Sequence, residues 1–373
     1  MQVVPNFSVL ASNSLEKNAY QAFQWSKNFF GVFHKFASTR AGLAITDTST
    51  AVQQLFEGKI PELNRSSSQV ASPRTLGVVR QRFERILEVD WQDAENGLYP
   101  KTLLFDNPWQ DFFRFYPQVW FDLPGIWSRV QRKKYQEFDP AIDTDHYPKY
   151  YLQNFHHQTN GYLSDRSAEL YDLQVELLFG GSADIMRRRV IRPIIDTVGL
   201  PDKSTRILDV ACGTGRTLRM LRGAFPEAKL FGTDLSPAYL RKANQLLSEL
   251  PGELPQLLQA NAEELPFADE AFDIVTSVFL FHELPGEARQ NVINEAARVL
   301  KPGGLIVICD SIQMDDSPEL NELMDSFDTT FHEPYYRDYI RDDLGQRLQT
   351  AGCKMLDTEV HFMSRYNIAR KPA

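Results

Sequence analysis

The run Arg206-Ile-Leu-Asp-Val-Ala-Cys-Gly-Thr-Gly-Arg216 constrains the fold more than any other stretch of this 373-residue chain. Ile207, Leu208 and Val210 form an apolar run that reads as a buried strand. The run breaks into a small turn carrying Gly213 and Gly215, and Thr217-Leu-Arg-Met-Leu-Arg222 then shows helical spacing. A strand, a glycine turn and a helix N-terminus in succession bring backbone N–H groups close to a ligand. Asp209, near the strand end, suits a cationic or polyhydroxylated one.

The same alternation repeats downstream. Strands are expected at Lys229–Thr233, ending at Asp234, and at Leu257–Ala260, Phe272–Val278 and Gly304–Cys309. Helices are expected at Pro237–Leu250 and Glu287–Leu300. The strand at Gly304–Cys309 is continuously apolar, as a parallel strand buried on both faces is. A helix over Asp343–Ala351 and strands over Met355–Val360 and His361–Ala369 close the pattern. The alternation predicts an α/β fold: a doubly wound, mostly parallel, Rossmann-like sheet with ligands at the carboxyl ends of its strands.

Upstream, Leu15–Ala37 has the apolar spacing of an amphipathic helix rich in phenylalanine. Its rings suit a membrane surface, but Lys17, Lys27 and Lys35 make only a sparse basic face, so packing on the protein itself is expected. Asn64–Arg74 reads as a polar loop and Val78–Val89 as a helix. From Tyr99 to Tyr162 aromatic residues crowd among prolines. The prolines predict irregular structure without long helices; the rings predict burial, or a pocket for an apolar aromatic substrate. A turn at Asn160–Leu163 precedes a helix from Ser164 to Phe179, ended by Gly180-Gly181, and another helix is expected from Ser182 to Ile195. The basic residues Arg187, Arg188, Arg189 and Arg192 read as a solvated helix face. Three parts follow: a helical and aromatic-rich N-terminal extension over 1–160, lid and linker helices over 161–203, and the sheet domain over 204–373.

Formal net charge is −9, which argues against a nucleic-acid partner. Cys212, Cys309 and Cys353 make no disulfide or metal pattern and read as small buried residues of a reducing compartment. No apolar run reaches membrane-spanning length and no basic-then-apolar leader opens the chain, so a cytoplasmic location is expected. Peripheral membrane contact and oligomeric state stay open. His156-His157 raises a metal reading, but adjacent histidines point apart and no nearby Asp/Glu pair completes a ligand set, so no metal is expected.

Two cofactor signatures compete at the glycine turn. The dehydrogenase pattern G-x-G-x-x-G needs a third glycine where this chain has Leu218. Asp209-x-Ala211-x-Gly213-x-Gly215 instead resembles motif I of the class I S-adenosylmethionine-dependent methyltransferases, with alanine at the first glycine position. Asn261-Ala-Glu-Glu-Leu-Pro-Phe267 is similar to that family's D-A-x-x-L-P-F segment, Phe272–His282 to its fourth motif, and Arg298–Gly304 to the turn before its fifth strand. The blocks stand in the family's order over about the last half of the chain.

The resemblance implies S-adenosyl-L-methionine as cofactor and methyl transfer to a small-molecule acceptor. It implies that Asp209 favours the cofactor's ammonium and that Ala211, Cys212, Gly213, Thr214 and Gly215 form the loop beside it. Asp234 would accept both ribose hydroxyls, Leu235, Asn261 and Ala262 would border the adenine, and Ser277 and Val278 would face the methionine end. Ala262–Asp273 and Ala297–Gly304 look like the ubiquinone and menaquinone C-methyltransferases. That subgroup carries a Gly-Leu-Arg-Asn-type sequence after the fourth strand, where this chain has Phe279-Leu-Phe-His-Glu283. A quinol, a phenol, another apolar aromatic, a fatty acyl group and an amine all remain open as acceptors, as does a cofactor-binding scaffold without turnover. His282 is the candidate general base. Tyr162 and Tyr171, before the first core strand, and His332, Tyr335 and Tyr336, after the fifth, are candidate acceptor contacts.

Overall fold

The computed structural model describes residues 7–56 and 72–373; the expected loop falls outside the described residues as far as 71. Six helices come first: α1 (Phe7–Phe56), α2 (Pro73–Glu95), α3 (Phe112–Arg132), α4 (Asp165–Leu178), α5 (Ala183–Arg188) and α6 (Ile191–Val198). Then follow β1 (Arg206–Val210), α7 (Arg216–Ala224), β2 (Lys229–Asp234), α8 (Pro237–Leu247), β3 (Gln256–Gln259), β4 (Phe272–Val278), α9 (Gly286–Val299) and β5 (Leu300–Ser311). Three short helices, α10 (Asn321–Asp325), α11 (Phe327–Phe331) and α12 (Tyr336–Tyr339), lead to α13 (Leu344–Thr350), β6 (Lys354–His361) and β7 (Ser364–Arg370).

The strands form one seven-stranded sheet in the order β3-β2-β1-β4-β5-β7-β6. β1 to β5 are parallel, and β7 runs antiparallel between β5 and β6. Successive side chains of a strand point to opposite faces, and both faces here are apolar. Ile207, Ile274, Leu305 and Val307 join one core, with Phe83 and Trp91 of α2, Met186 of α5 and Leu218 of α7. Their neighbours Leu208, Val275, Ile306 and Ile308 join the other, with Val292 and Ile293 of α9 and Leu348 of α13. Each such aliphatic side chain contributes about 1.5–3 kcal/mol on burial. The strand order reverses between β1 and β4, which opens a crevice at their carboxyl ends.

Tyr20 of α1 and the apolar face of α2 are buried in the same core as the sheet, while Phe115 and Val119 of α3 pack in a separate cluster with Leu170 and Leu173 of α4. Phe83 meets Phe362, in the β6–β7 turn, with ring centroids 5.8 Å apart, and Arg82 donates to the Phe362 carbonyl at 3.0 Å. A buried polar hub locks the arrangement: Arg188 donates to both Asp90 oxygens at 3.0 and 2.7 Å, while Tyr20 and Tyr99 hydroxyls donate to the same carboxylate at 2.5 and 2.7 Å. The expected solvated arginine face is therefore corrected. Arg187 and Arg188 are buried, and Arg187 pairs with Asp184 at 2.9 Å, because two carboxylates supply charge where water would. The single helix expected over 182–195 is also two, α5 and α6, with the break after Arg188.

A second correction concerns the aromatic-rich segment. Despite Pro117 and Pro124 inside it, α3 is a continuous helix of 21 residues. Each proline removes one backbone hydrogen bond, at a cost of about 3 kcal/mol. A ring stripe offsets it: Phe30 of α1 meets Phe112 and Tyr116 edge-on at 5.0 and 5.1 Å, and His34 meets Tyr116 and Trp120. The same helix α1 turns Tyr20, Gln24, Lys27 and His34 inward and leaves Phe29, Val32, Phe33 and Phe36 exposed.

Candidate active site

A cleft opens at the carboxyl ends of β1, β2, β3 and β4. Ala211 and Gly213 from the glycine turn, Asp234 and Leu235, Asn261 and Ala262, and Val278 all line it, together with Tyr162 and Tyr171. Nine of the residues singled out in the sequence thus meet in one place, although they come from five segments of the chain. Cys212 and Thr214 line an adjoining recess with Arg187 and Arg216.

The glycine turn owes its shape to positive φ. Gly213 (φ +54°) has open space where a side chain would project, and Gly215 (φ +82°) lies against Ala243 and Leu247. Ala211, in the alanine-for-glycine position, is also left-handed at φ 57°, a conformation that costs an L-residue roughly 1–2 kcal/mol. Neighbours brace the loop: Cys212 N–H donates to the Thr233 carbonyl at 2.8 Å, and the Thr214 hydroxyl to Asp172 at 2.6 Å.

Asp234 is the central acceptor. One of its oxygens accepts from Gly213 N–H and the other from Ser236 N–H, both at 2.8 Å. A carboxylate oxygen has two lone pairs, so each oxygen keeps capacity for a ligand hydroxyl. Burial pushes Asp234 up to about 6, against the lowering effect of these N–H groups. Asp209 does not reach the cleft wall. It is buried behind the loop, accepts from the Thr276 hydroxyl at 2.7 Å, and is pushed by burial up to about 7. Ser277 is turned into the sheet, its hydroxyl on the Val210 carbonyl at 3.1 Å, and the Asn261 amide oxygen accepts from Glu263 N–H at 3.0 Å.

His282 stands beside the cleft, outside its lining, and Glu283 takes the lining position. His282 Nδ1 donates to Asp310 at 2.6 Å. Burial opposes charge on this imidazole, but Asp310 outweighs it and holds the group at about 9. Of the later candidates, His332 stacks on Tyr135 at 3.9 Å, Tyr336 bonds Ser311 at 2.9 Å, and Tyr335 offers its carbonyl to Arg289. None of the three lines the cleft.

Tyr150, Tyr151, Tyr239, Leu280 and Glu283 line the cleft without having been singled out. Only the crowding of rings before Tyr162 signals the first two. The Tyr162 hydroxyl donates to Glu283 at 2.5 Å, and burial pushes the Glu283 carboxyl above its usual range. The expectation that no carboxylate pair accompanies His156 is corrected as well. His156 Nε2 lies 2.9 Å from Glu333 and 3.7 Å from Glu283, which the fold draws in from distant segments. His156 and His157 are consecutive left-handed residues (φ 53° and 58°), and this kink sends their rings apart, His157 to the Thr330 carbonyl.

Residues 207–304 match the family described as "Methyltransferase domain". The chain is 36% identical over 146 residues to a demethylmenaquinone methyltransferase of Thermotoga maritima, covering 39% of this chain and 58% of that one. It is likewise 36% identical over 151 residues to a ubiquinone/menaquinone biosynthesis C-methyltransferase of Syntrophotalea carbinolica, covering 40% of this chain and 60% of the relative. The match thus spans somewhat more than half the length of these curated relatives. Among solved structures, the magnesium protoporphyrin IX methyltransferase of Synechocystis aligns at 18% identity with a TM-score of 0.41, over 52% of this chain and 84% of that one. Residues 207–304 thus match a methyltransferase domain, seated on the doubly wound sheet whose switch point opens the cleft.

Proposed function

We propose that the chain is an S-adenosylmethionine-dependent methyltransferase whose acceptor is a small molecule with an apolar or aromatic body, a quinol or phenol by chemistry. The observation that carries this reading is the Asp234 carboxylate held beside Gly213 at the switch-point cleft. The residues present fit the cofactor: a bidentate acceptor for a vicinal diol, a turn with no side chain to obstruct approach, and apolar Leu235 and Ala262 for a flat base. Asp234 would hold the ribose, Leu235, Asn261 and Ala262 the adenine, and the 211–214 turn the methionine portion. When bound, S-adenosylmethionine supplies an electrophilic methyl group. The protein's part is then to align the acceptor and exclude water.

A second cavity supports the acceptor class. Val119, Leu123 and Trp127 of α3, Leu177 of α4 and Phe331 line a largely apolar cavity of about 350 Å³ that reaches His156. His156 touches Glu283, and Glu283 lines the cofactor cleft. The exposed Phe29, Phe33 and Phe36 of α1, with Phe113 and Phe121 of α3, support peripheral contact with a membrane holding such an acceptor.

The test is to incubate the full chain with methyl-labelled S-adenosylmethionine and a lipid-soluble extract, and to identify the labelled product by mass spectrometry. Label in a phenol- or quinol-type compound is expected. Tight cofactor binding with no transfer to any acceptor would overturn the reading in favour of a scaffold. Within the reaction, Glu283→Gln should lower kcat by roughly 10²–10⁴ with cofactor affinity unchanged, as for loss of a proton-handling group. An unaltered kcat at saturating acceptor would remove Glu283 from the chemistry. His282, held protonated near neutral pH by Asp310, is the weaker candidate for the base.

A further inference from the structure

His156, Glu283 and Glu333 come from three separate segments, and their ligand atoms lie within 4.8 Å of one another. His282 stands beside this group, its Nε2 4.0 Å from Glu283 Oε1. Nitrogen and oxygen ligands about 2.0–2.2 Å from a tetrahedral ion stand roughly 3.3–3.6 Å apart. The 2.9 and 3.7 Å separations of His156 from Glu333 and Glu283 bracket that spacing.

A further observation points to a ligand. Glu333 is fully buried; its Oε1 lies 2.9 Å from His156 Nε2, and Oε2 has no hydrogen-bond partner among the described residues. A buried carboxylate is expensive unless a cation meets it, and an ion held between Glu333 and His156 would serve both oxygens. Beside the cluster, the Nδ1–H of His282 is held by the buried carboxylate of Asp310, which itself accepts from Phe281 N–H at 2.6 Å, and its Nε2 faces Glu283.

We propose that His156, Glu283 and Glu333 form a binding site for a divalent transition-metal ion, zinc by ligand chemistry, between the cofactor cleft and the apolar cavity, with the fourth position open. One imidazole, its Nε2 proton displaced by the ion, and two carboxylates neutralise a doubly charged ion and suit its borderline-soft character. Glu283 belongs to the segment in which this chain departs from the quinone subgroup. The site's use rests on the methyl-transfer reading: the ion takes the acceptor's hydroxyl oxygen. As that oxygen bonds to the ion its O–H bond breaks, and the proton leaves to solvent as it does from zinc-bound water.

The test uses the full chain, stripped with a chelator and dialysed, without cofactor. Titration with Co²⁺ should show saturation at one ion per chain with the visible absorption of a four-coordinate ion, and Zn²⁺ should displace it. Glu333→Gln and His156→Ala should each weaken Zn²⁺ binding at least about 100-fold. Thermal melts report whether each variant folds, and the isosteric Glu333→Gln decides the matter if His156→Ala does not. No stoichiometric ion in the wild type, or equal affinity in Glu333→Gln, would overturn the proposal. A chain that binds the ion but transfers no methyl group fails the functional reading and leaves the metal site standing; transfer without ion binding does the reverse.

Discussion

Replacing Asp234 with alanine should weaken S-adenosylmethionine binding by roughly 10²–10⁴. Two hydrogen bonds from ribose hydroxyls to a charged acceptor are lost, each worth about 1.5–3 kcal/mol. The variant also frees Gly213 N–H and Ser236 N–H, so the glycine turn loses its anchor to β2 at the same time. Calorimetric titration of the purified variant checks this, and an affinity within threefold of wild type would remove Asp234 from the site. Asp234 also implies a pH signature. Burial raises it to about 6, above the range of an exposed carboxyl. Below pH 6 it takes up a proton and loses acceptor capacity, so cofactor affinity should fall as pH drops through 6. Its effect on folding has the opposite sign. The folded state holds the proton more tightly than the unfolded chain, so this group favours folding more as pH falls from 7 toward 4. Affinity and stability measured across that window should move in opposite directions on account of this one residue.

The largest stability effect is expected at Asp90. Asp90→Ala leaves Arg188 charged and buried, and deprives the Tyr20 and Tyr99 hydroxyls of their acceptor. Breaking a buried ion pair from one side costs about 3–5 kcal/mol, a large part of the roughly 5–15 kcal/mol that stabilises a domain. With an unfolding entropy of about 2.1 cal/mol/K per residue, Tm should drop by roughly 4–7 °C. Denaturant melts give the free energy directly, and a loss under about 1 kcal/mol would show the hub to be solvated. The double variant Asp90→Ala/Arg188→Met should regain much of the loss, because it removes the stranded charge as well.

The parallel sheet was legible in the sequence because its signal is local. β4 is observed over Phe272–Val278 as expected, and the other core strands lie within a few residues of their expected bounds. A continuous apolar run such as Leu305–Cys309 has few alternatives to a strand buried on both faces. Much of the cleft lining was legible for the same reason, since each motif hangs on the end of such a strand. What was hidden depends on partners far away in the chain. Pro117 and Pro124 argue against a helix, and only the rings of Phe30 and His34 on α1 explain why α3 persists. Arg188 reads as a surface charge until Asp90 is beside it. His156 reads as one of a mismatched pair until a left-handed turn directs it at Glu283 and Glu333.

The docking of α2 on the β6–β7 turn has a consequence for synthesis. Phe83 and Arg82 find their partner in Phe362, near the far end of the sequence. At about 5–20 residues per second, a ribosome needs roughly 15–55 s to travel between these positions. Throughout that interval Phe83 has Trp25 of α1 beside it but lacks Phe362, so holdase chaperones should be found on stalled intermediates that end before the β6–β7 turn. Chains released after it should shed them.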